Sequence, residues 1–373
     1  MFQDSEKKLV PDNIRDLKPY VAGKTIAEVQ EAFNPPRISK LASNENRLGC
    51  SPLVKPAVND AIEEIQDYPD PISRKLRTKL AAENGVAEEN IIIAAGSESI
   101  IANLCRTFFE DHELAITANA TFVGFFVHAN IHGVSMEKIP VTGEYQFDLD
   151  AMVEAITDRT KMIYIANPNN PTGTYITKDE FEIFMGKVPS DVIVIMDEAY
   201  YEYANNVGDY PNSSTYGYDN VLTLRTFSKA YGLAGFRIGY AIGHEELIGN
   251  MMKTKLTFEP TALAQVAADV AMDDSGFLQE SIRVVEEGKK RLYDFFESHN
   301  AKYIPSISNS VMLILEDEQS AIDFTESMLK RGVILRRINA FGLPNCIRIT
   351  IGTEDDMKHF EEAYDEYYAD SNN

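Results

Sequence analysis

Six short aliphatic runs set the strongest limit on how this chain folds. They are "NIIIAA" (90–95), "ELAITA" (113–118), "KMIYIA" (161–166), "DVIVIMDE" (191–198), "NVLTLRTF" (220–227) and "FRIGYAIG" (236–243). Each is the length of one strand and rich in Ile and Val. The apolar residues are nearly continuous rather than alternating, the pattern of strands covered on both faces in an α/β sheet. Between the runs lie helix-like stretches such as "SIIANLCRTFF", which puts Ile100, Ile101, Leu104 and Phe108 on one face. After about residue 265 the texture changes. A long charged helix ("FLQESIRVVEEGKKRLYDFFESH") leads into short strands ("NSVMLILE", "GVILRRI", "CIRITIG") and a last helix, which together read as a smaller α+β domain. The proline-rich start reads as an arm. The expected division is an arm over 1–47 that is partly built into the small domain, a large domain over 48–265 and a small domain over 266–373.

Composition narrows the classes of function. The 373 residues are 44% hydrophobic and 25% charged, enough apolar material for a large core. A net charge of -23 argues against nucleic acid as a partner, because phosphate backbones need clustered Lys and Arg. Cys50, Cys105 and Cys346 are far apart and form no CxxC or metal spacing, so neither a disulfide framework nor a metal is expected. The start "MFQDSEKKLV" has charges where a secretory leader needs an apolar centre. The most apolar helical stretch, "ALAQVAADVAM", is interrupted by Gln265 and Asp269. It is shorter than the ~18 residues of a membrane helix. These features lead us to expect a cytoplasmic protein without a membrane segment.

In open α/β sheets the ligand sits beyond the carboxyl ends of the strands. Four motifs follow the apolar runs there: "GSES" (96–99), "NPNNPTG" (167–173), "DEAY" (197–200) and "TFSK" (226–229). "GSES" opens a helix, whose free N–H groups favour a phosphate; alone it could equally be a plain cap. "NPNNPTG" makes a rigid turn that sets an Asn amide at a strand end. Asp197 closes an apolar strand and, ionised there, needs a cationic partner. Lys229 sits in a loop of small residues with room for a planar ligand. Desolvation lowers a lysine's pKa, and its neutral amine condenses with carbonyls. Thr226, Ser228 and Arg237 around it suit a phosphate. One aromatic aldehyde phosphate, pyridoxal phosphate, accounts for all four groups: aldehyde to Lys229, ring nitrogen to Asp197, phenolic oxygen to Asn170, and phosphate to "GSES", Thr226, Ser228 and Arg237.

The ordered motifs resemble those of fold-type-I pyridoxal-phosphate aminotransferases, and most of all the histidinol-phosphate aminotransferase family. The resemblance runs from "LKPY" through "KLASNEN", "DYPDP", "GSES", "NPNNPTG", "DEAYYEY" and "TFSKAYGLAGFRIGY" to "LPNCIRITIGT". It implies an α/β large domain with a mostly parallel sheet sandwiched by helices, plus a smaller α+β domain. By the same resemblance Lys229, Asp197 and Tyr200 are catalytic. Lys229 holds the cofactor and carries a proton, Asp197 keeps the ring nitrogen protonated, and Asn170 and Tyr200 bind the phenolic oxygen. Phe122 stacks on the ring. Ser97, Glu98, Thr226, Ser228 and Arg237 hold the phosphate, joined by Tyr68 from a second subunit, which implies a homodimer with shared sites. Arg348 and Arg336, with Tyr20, match positions that handle the substrate's anion, and Asn44 matches one near the substrate. The implied reaction is ping-pong exchange between histidinol phosphate and a glutamate/2-oxoglutarate couple, as in histidine biosynthesis.

Two departures from the family pattern are Arg47, where proline is usual after "NEN", and Ala120–Thr121, where Pro-Thr is usual before the stacking aromatic. The first could alter charge at the substrate entrance, and the second changes loop geometry. An aromatic amino acid aminotransferase acting on Phe or Tyr has nearly the same motifs. A decarboxylase of the same fold is a third reading. A non-catalytic sensor would need a basic DNA-binding domain, for which this acidic chain has no room.

Overall fold

The computed structural model describes residues 9–15, 17 and 23–371. Among the described residues, thirteen strands follow in order: β1 (Ser39–Lys40), β2 (Ile91–Ala94), β3 (Leu114–Ala118), β4 (Ser135–Ile139), β5 (Thr160–Ala166), β6 (Ile193–Asp197), β7 (Val221–Thr226), β8 (Gly239–Gly243), β9 (Lys302–Ile304), β10 (Ser310–Ile314), β11 (Val333–Ile334), β12 (Arg336–Arg337) and β13 (Cys346–Thr350). Seven of them form one sheet in the order β2-β8-β7-β6-β5-β3-β4. Only β8 runs antiparallel to its neighbours β2 and β7; the pairs β3–β4, β3–β5, β5–β6 and β6–β7 are parallel. Each of the six aliphatic runs contains one strand of this sheet. The seventh strand, β4, carries "SMEKI" at the edge with mostly exposed side chains. An edge strand needs no two-sided apolar cover, so it leaves no such run.

Alternation along the strands feeds two helical layers. On one face, Ile92, Tyr164, Ala166 and Ile195 pack with Ile100, Leu104, Phe125, Ala129 and Met251 of helices Ser97–Phe108, Val123–Ile131 and Glu245–Thr254. On the other, Ile163, Ile165, Val194 and Met196 pack with Phe181 and Phe184 of Lys178–Met185. Ile91 and Ile93 pack with Leu76, Leu80, Ala264, Ala267 and Ala268. Helix Ala262–Ala271 therefore belongs to the large domain's core. The expected boundary at 265/266 falls within this helix. Small alanine faces carry little compositional signal of which core they join.

The smaller unit is a sheet in the order β12-β13-β10-β9, antiparallel at each pairing. It is covered by helices Ser275–Ser298, Glu318–Lys330 and Glu354–Ser371 through Leu292, Phe296, Phe324, Met328 and Phe360. The N-terminal arm is more regular than its prolines suggest. Helix Ile26–Phe33 has a Thr25/Glu28 capping box, and β1 pairs in parallel with β11. That pairing ties the arm to the small domain. The small domain's core also takes in Tyr200, Tyr203 and Ala230 from the large one. Among the described residues no helix is long and apolar enough to cross a membrane.

Candidate active site

A cavity of about 270 Å³ opens at the carboxyl ends of β5, β6 and β7. Ten of the residues singled out from sequence line it. At one end stand Ser97, Glu98, Thr226, Ser228 and Arg237; towards the other stand Phe122, Asn170, Asp197, Tyr200 and Lys229.

The first end is built from a helix N-terminus. Gly96 is the N-cap, with φ +92, and makes no side-chain cap. Ser97 is thus the first helical residue rather than the cap, and its N–H and that of Glu98 head the helix without intrahelical acceptors. A Cβ on Gly96 would lie 3.0 Å from Arg237 Nη2, so glycine leaves the guanidinium room over the helix end. Arg237 itself adopts φ +54, a left-handed conformation unusual for a side-chain-bearing residue and a feature of ligand sites. Thr226 Oγ1 donates to Ser228 Oγ at 3.0 Å. Two main-chain N–H groups, two hydroxyls and one cation thus border a space suited to a phosphate.

Lys229 follows β7 in a loop pinned by close backbone approach. Gly232, at φ +69, could not carry a Cβ without meeting Gly49 O at 1.7 Å. Lys229 Nζ donates to Ser43 O at 3.4 Å and lies 5.7 Å from the centre of the Tyr200 ring. Burial, with help from the Arg348 and Arg237 cations, pulls its ammonium down to about 8 against the opposing pull of Glu45 and Asp197.

Asp197 ends β6 and is buried. Its Oδ1 accepts from Ala199 N at 3.2 Å and its Oδ2 from the Tyr164 hydroxyl at 2.6 Å. Burial pushes its carboxyl up to about 6 despite these donors. The turn after β5 is braced by Asn169, whose Nδ2 donates to Ala120 O at 2.9 Å and whose Oδ1 accepts from Thr121 Oγ1 at 2.8 Å. These bonds hold the Ala120–Thr121 segment, and Phe122 after it lines the cavity. Gly124 makes the ring's position possible: a Cβ there would stand 2.4 Å from Phe122 Cε1.

Four predicted residues lie outside the cavity wall. Asn44 is buried and spends its side chain on Tyr200 (Nδ2 to OH, 2.8 Å) and Thr350 (Oγ1 to Oδ1, 3.0 Å), so it reaches the site through Tyr200. Arg348 donates to Asn170 Oδ1 and, at 2.7 Å, to Ala42 O. Arg336 pairs directly opposite Arg348 in the β12–β13 register, and a Cβ on Gly23 would be 3.7 Å from its Nη1. Tyr68 is 80% exposed and stacks on Phe258 at 4.3 Å. Tyr20 lies outside the described residues. Arg47, expected at the entrance, instead points to the small domain, with Nε 3.3 Å from Asp356 Oδ2. Sequence reasoning missed Tyr164, which reads as core within "KMIYIA", and Glu45, which lines the cavity. Among the described residues no cluster of side chains could hold a metal.

A lysine with a depressed pKa, facing a buried carboxylate across a cavity with an anion cradle at one end, defines an enzyme of amine–carbonyl chemistry. The model of the family described as aminotransferase class I and II matches residues 36–363, and the chain belongs to that family. It is 40% identical over 348 residues to the histidinol-phosphate aminotransferase of Bacillus velezensis, spanning 93% of this chain and 96% of that one. It is 41% identical over 348 residues to histidinol-phosphate aminotransferase 2 of Carboxydothermus hydrogenoformans, spanning 92% and 95%. The crystal structure of histidinol-phosphate aminotransferase from Sinorhizobium meliloti in complex with pyridoxal-5'-phosphate matches with a TM-score of 0.89 at 26% identity, covering 97% of this chain and 98% of that one. The fold is that of fold-type-I aminotransferases, and the enzyme is a transaminase.

Proposed function

We propose that the enzyme uses pyridoxal phosphate to move an amino group between histidinol phosphate and 2-oxoglutarate, by a ping-pong mechanism, as a cytoplasmic homodimer. The residues present fit the cofactor. The helix N-terminus with Thr226, Ser228 and Arg237 would hold its phosphate, Phe122 would cover its ring, and Asp197 would face its ring nitrogen. Asn170 and Tyr200 would take its phenolic oxygen. Bound there, pyridoxal phosphate supplies an electron sink for charge that develops at the substrate's amine-bearing carbon.

The chain's own groups do the rest. With its pKa near 8, about one Lys229 in ten is neutral at pH 7, against roughly one in three thousand for a free lysine. Its Nζ is the base that takes a proton from the substrate's amine-bearing carbon and returns it. Asp197, at about 6, is mostly ionised at neutral pH and can hold a proton on a ring nitrogen. Asn44 orients Tyr200, and Arg348 orients Asn170, so the two groups at that end are fixed before substrate arrives.

The observation that carries the substrate assignment is the facing pair Arg336 and Arg348, in a chain about 40% identical to enzymes named for histidinol phosphate. A phosphate dianion suits two guanidinium groups better than a single carboxylate does, which favours histidinol phosphate over Phe or Tyr. Tyr20 is assigned to the same anion. For the dimer, the support is Tyr68: it is remote from its own chain's cavity, and exposed Phe258, Leu256, Ile62 and Ile65 are the apolar surface such an interface would cover. The test of the substrate is kcat/KM for histidinol phosphate and for phenylalanine in wild type and Arg336→Ala. The expected loss is at least tenfold larger for histidinol phosphate. Equal losses would remove the phosphate-specific role of Arg336.

A further inference from the structure

Tyr164 is a fully buried tyrosine in the middle of β5, absent from the cavity wall and unused in the mechanism above. Its ring stacks on Phe125 at 4.4 Å and 9°, and its carbonyl accepts from Thr117 Oγ1 at 2.9 Å. A phenylalanine would fill that slot equally well. The hydroxyl is what distinguishes tyrosine, and a buried hydroxyl without a partner is costly. Here it donates to Asp197 Oδ2 at 2.6 Å, the short length of a charge-assisted bond. The register explains the reach. Ala166 pairs with Asp197 and Tyr164 with Ile195 in the parallel β5–β6 ladder. Tyr164 therefore shares a face with Asp197 one repeat back, and the length of the phenol spans the gap.

We propose that Tyr164 is a positioning residue for the reaction: its hydroxyl fixes the orientation of the Asp197 carboxylate and keeps it ionised beside the ring nitrogen. This rests on reading Asp197 as the partner of that nitrogen. Without the hydroxyl, Oδ2 loses its side-chain donor and only the Ala199 N–H remains on Oδ1. The charged and titratable groups around Asp197 are few. Burial pushes the carboxyl up; Tyr164, the Ala199 N–H and the Lys229 cation pull it down, and Glu198 adds to the upward push. Tyr164 itself stays protonated, since burial and the Asp197 charge raise its hydroxyl well above the ordinary value. An uncharged Asp197 could not pair with a protonated ring.

The test titrates Asp197 in the full-length, cofactor-free protein by infrared difference spectroscopy, with the carboxyl band assigned by its loss in Asp197→Asn. Tyr164→Phe keeps the ring stack and removes only the oxygen. Its Asp197 midpoint is expected to rise by about one to two pH units, the worth of one hydrogen bond to a charged group. In the loaded enzyme the amino-donor half-reaction at neutral pH should slow roughly twofold to tenfold, the loss of ionised Asp197 that such a shift implies, and recover as pH is raised. Replacing Tyr164 by 3-fluorotyrosine, a stronger donor of nearly the same shape, should move the midpoint the other way, and it serves equally if the Phe variant fails to fold. A slowed reaction with an unmoved midpoint in a folded variant would reduce Tyr164 to packing and overturn the proposal. A shifted midpoint in a protein whose wild type reacts with no amino donor would leave the Tyr164–Asp197 link standing and reject the assigned reaction instead.

Discussion

Lys229 should make the cofactor-free protein less stable than it could be, and by an amount that depends on pH in a set direction. Its ammonium ordinarily titrates at 10.5 and is pulled down to about 8 in the fold, chiefly by burial. At about 1.4 kcal/mol per pH unit, holding that charge in the site at pH 7 costs about 3 kcal/mol. Between pH 8 and 10.5 the unfolded chain binds the extra proton, so stability rises with pH and the penalty fades. It is fully present below about pH 8 and falls to about 1 kcal/mol by pH 10. Lys229→Met replaces the amine by an apolar chain of similar length and removes the titration. The variant should therefore be more stable than wild type by about 3 kcal/mol at pH 7 and by only about 1 kcal/mol at pH 10. Urea unfolding of both cofactor-free proteins at several pH values measures the gap, and the comparison cancels all other titrating groups. A gap that stays constant from pH 7 to 10, or one that favours wild type at pH 7, would refute the claim that Lys229 is held against its preferred charge. The same variant should have no turnover, because stability and chemistry compete at this residue.

Asp197→Ala should slow single-turnover amino transfer by roughly a hundredfold to several thousandfold, the 3–5 kcal/mol of a buried charge pair broken on one side; unchanged rates would displace Asp197 from the ring nitrogen. Tyr68→Phe should weaken cofactor retention, and mixing its protomers with Lys229→Ala protomers should restore activity through one intact shared site. A fully active monomer in sedimentation would remove the shared-site arrangement.

The parts of the fold that were legible in the sequence share a physical cause. Strands buried on both faces must be apolar throughout, so β2, β3, β5, β6, β7 and β8 stand out as runs, while edge strand β4 does not. Strand ends in an α/β sheet collect ligand groups, which made the cavity wall readable: Asp197 closes β6, Asn170 and Lys229 follow β5 and β7, and Arg237 stands just before antiparallel β8. What stayed hidden depends on three-dimensional neighbours. Arg47 could be placed at the entrance until its ion pair with Asp356, far along the chain, fixed it elsewhere. Asn44 was matched to the substrate side, yet its amide is taken up by Tyr200 and its Oδ1 by Thr350, both remote in sequence. Tyr164 sits among aliphatic residues, and nothing in the local pattern tells a tyrosine that packs from one whose hydroxyl holds a carboxylate. The small-domain strand "GVILRRI" reads as one element but divides into β11, which pairs with the arm, and β12, which pairs with β13 and sets Arg336 against Arg348.

The most direct test of the account is the first half-reaction, followed by the visible absorbance of the bound cofactor in the purified enzyme. Histidinol phosphate alone should bleach the band in a single exponential, and 2-oxoglutarate added afterwards should restore a band in the visible region. Phenylalanine, tyrosine and aspartate at the same concentration should react at least tenfold more slowly. A band that histidinol phosphate leaves untouched while phenylalanine or tyrosine bleaches it would contradict the assigned substrate, and a protein that binds no pyridoxal phosphate would contradict the assignment of Lys229 itself.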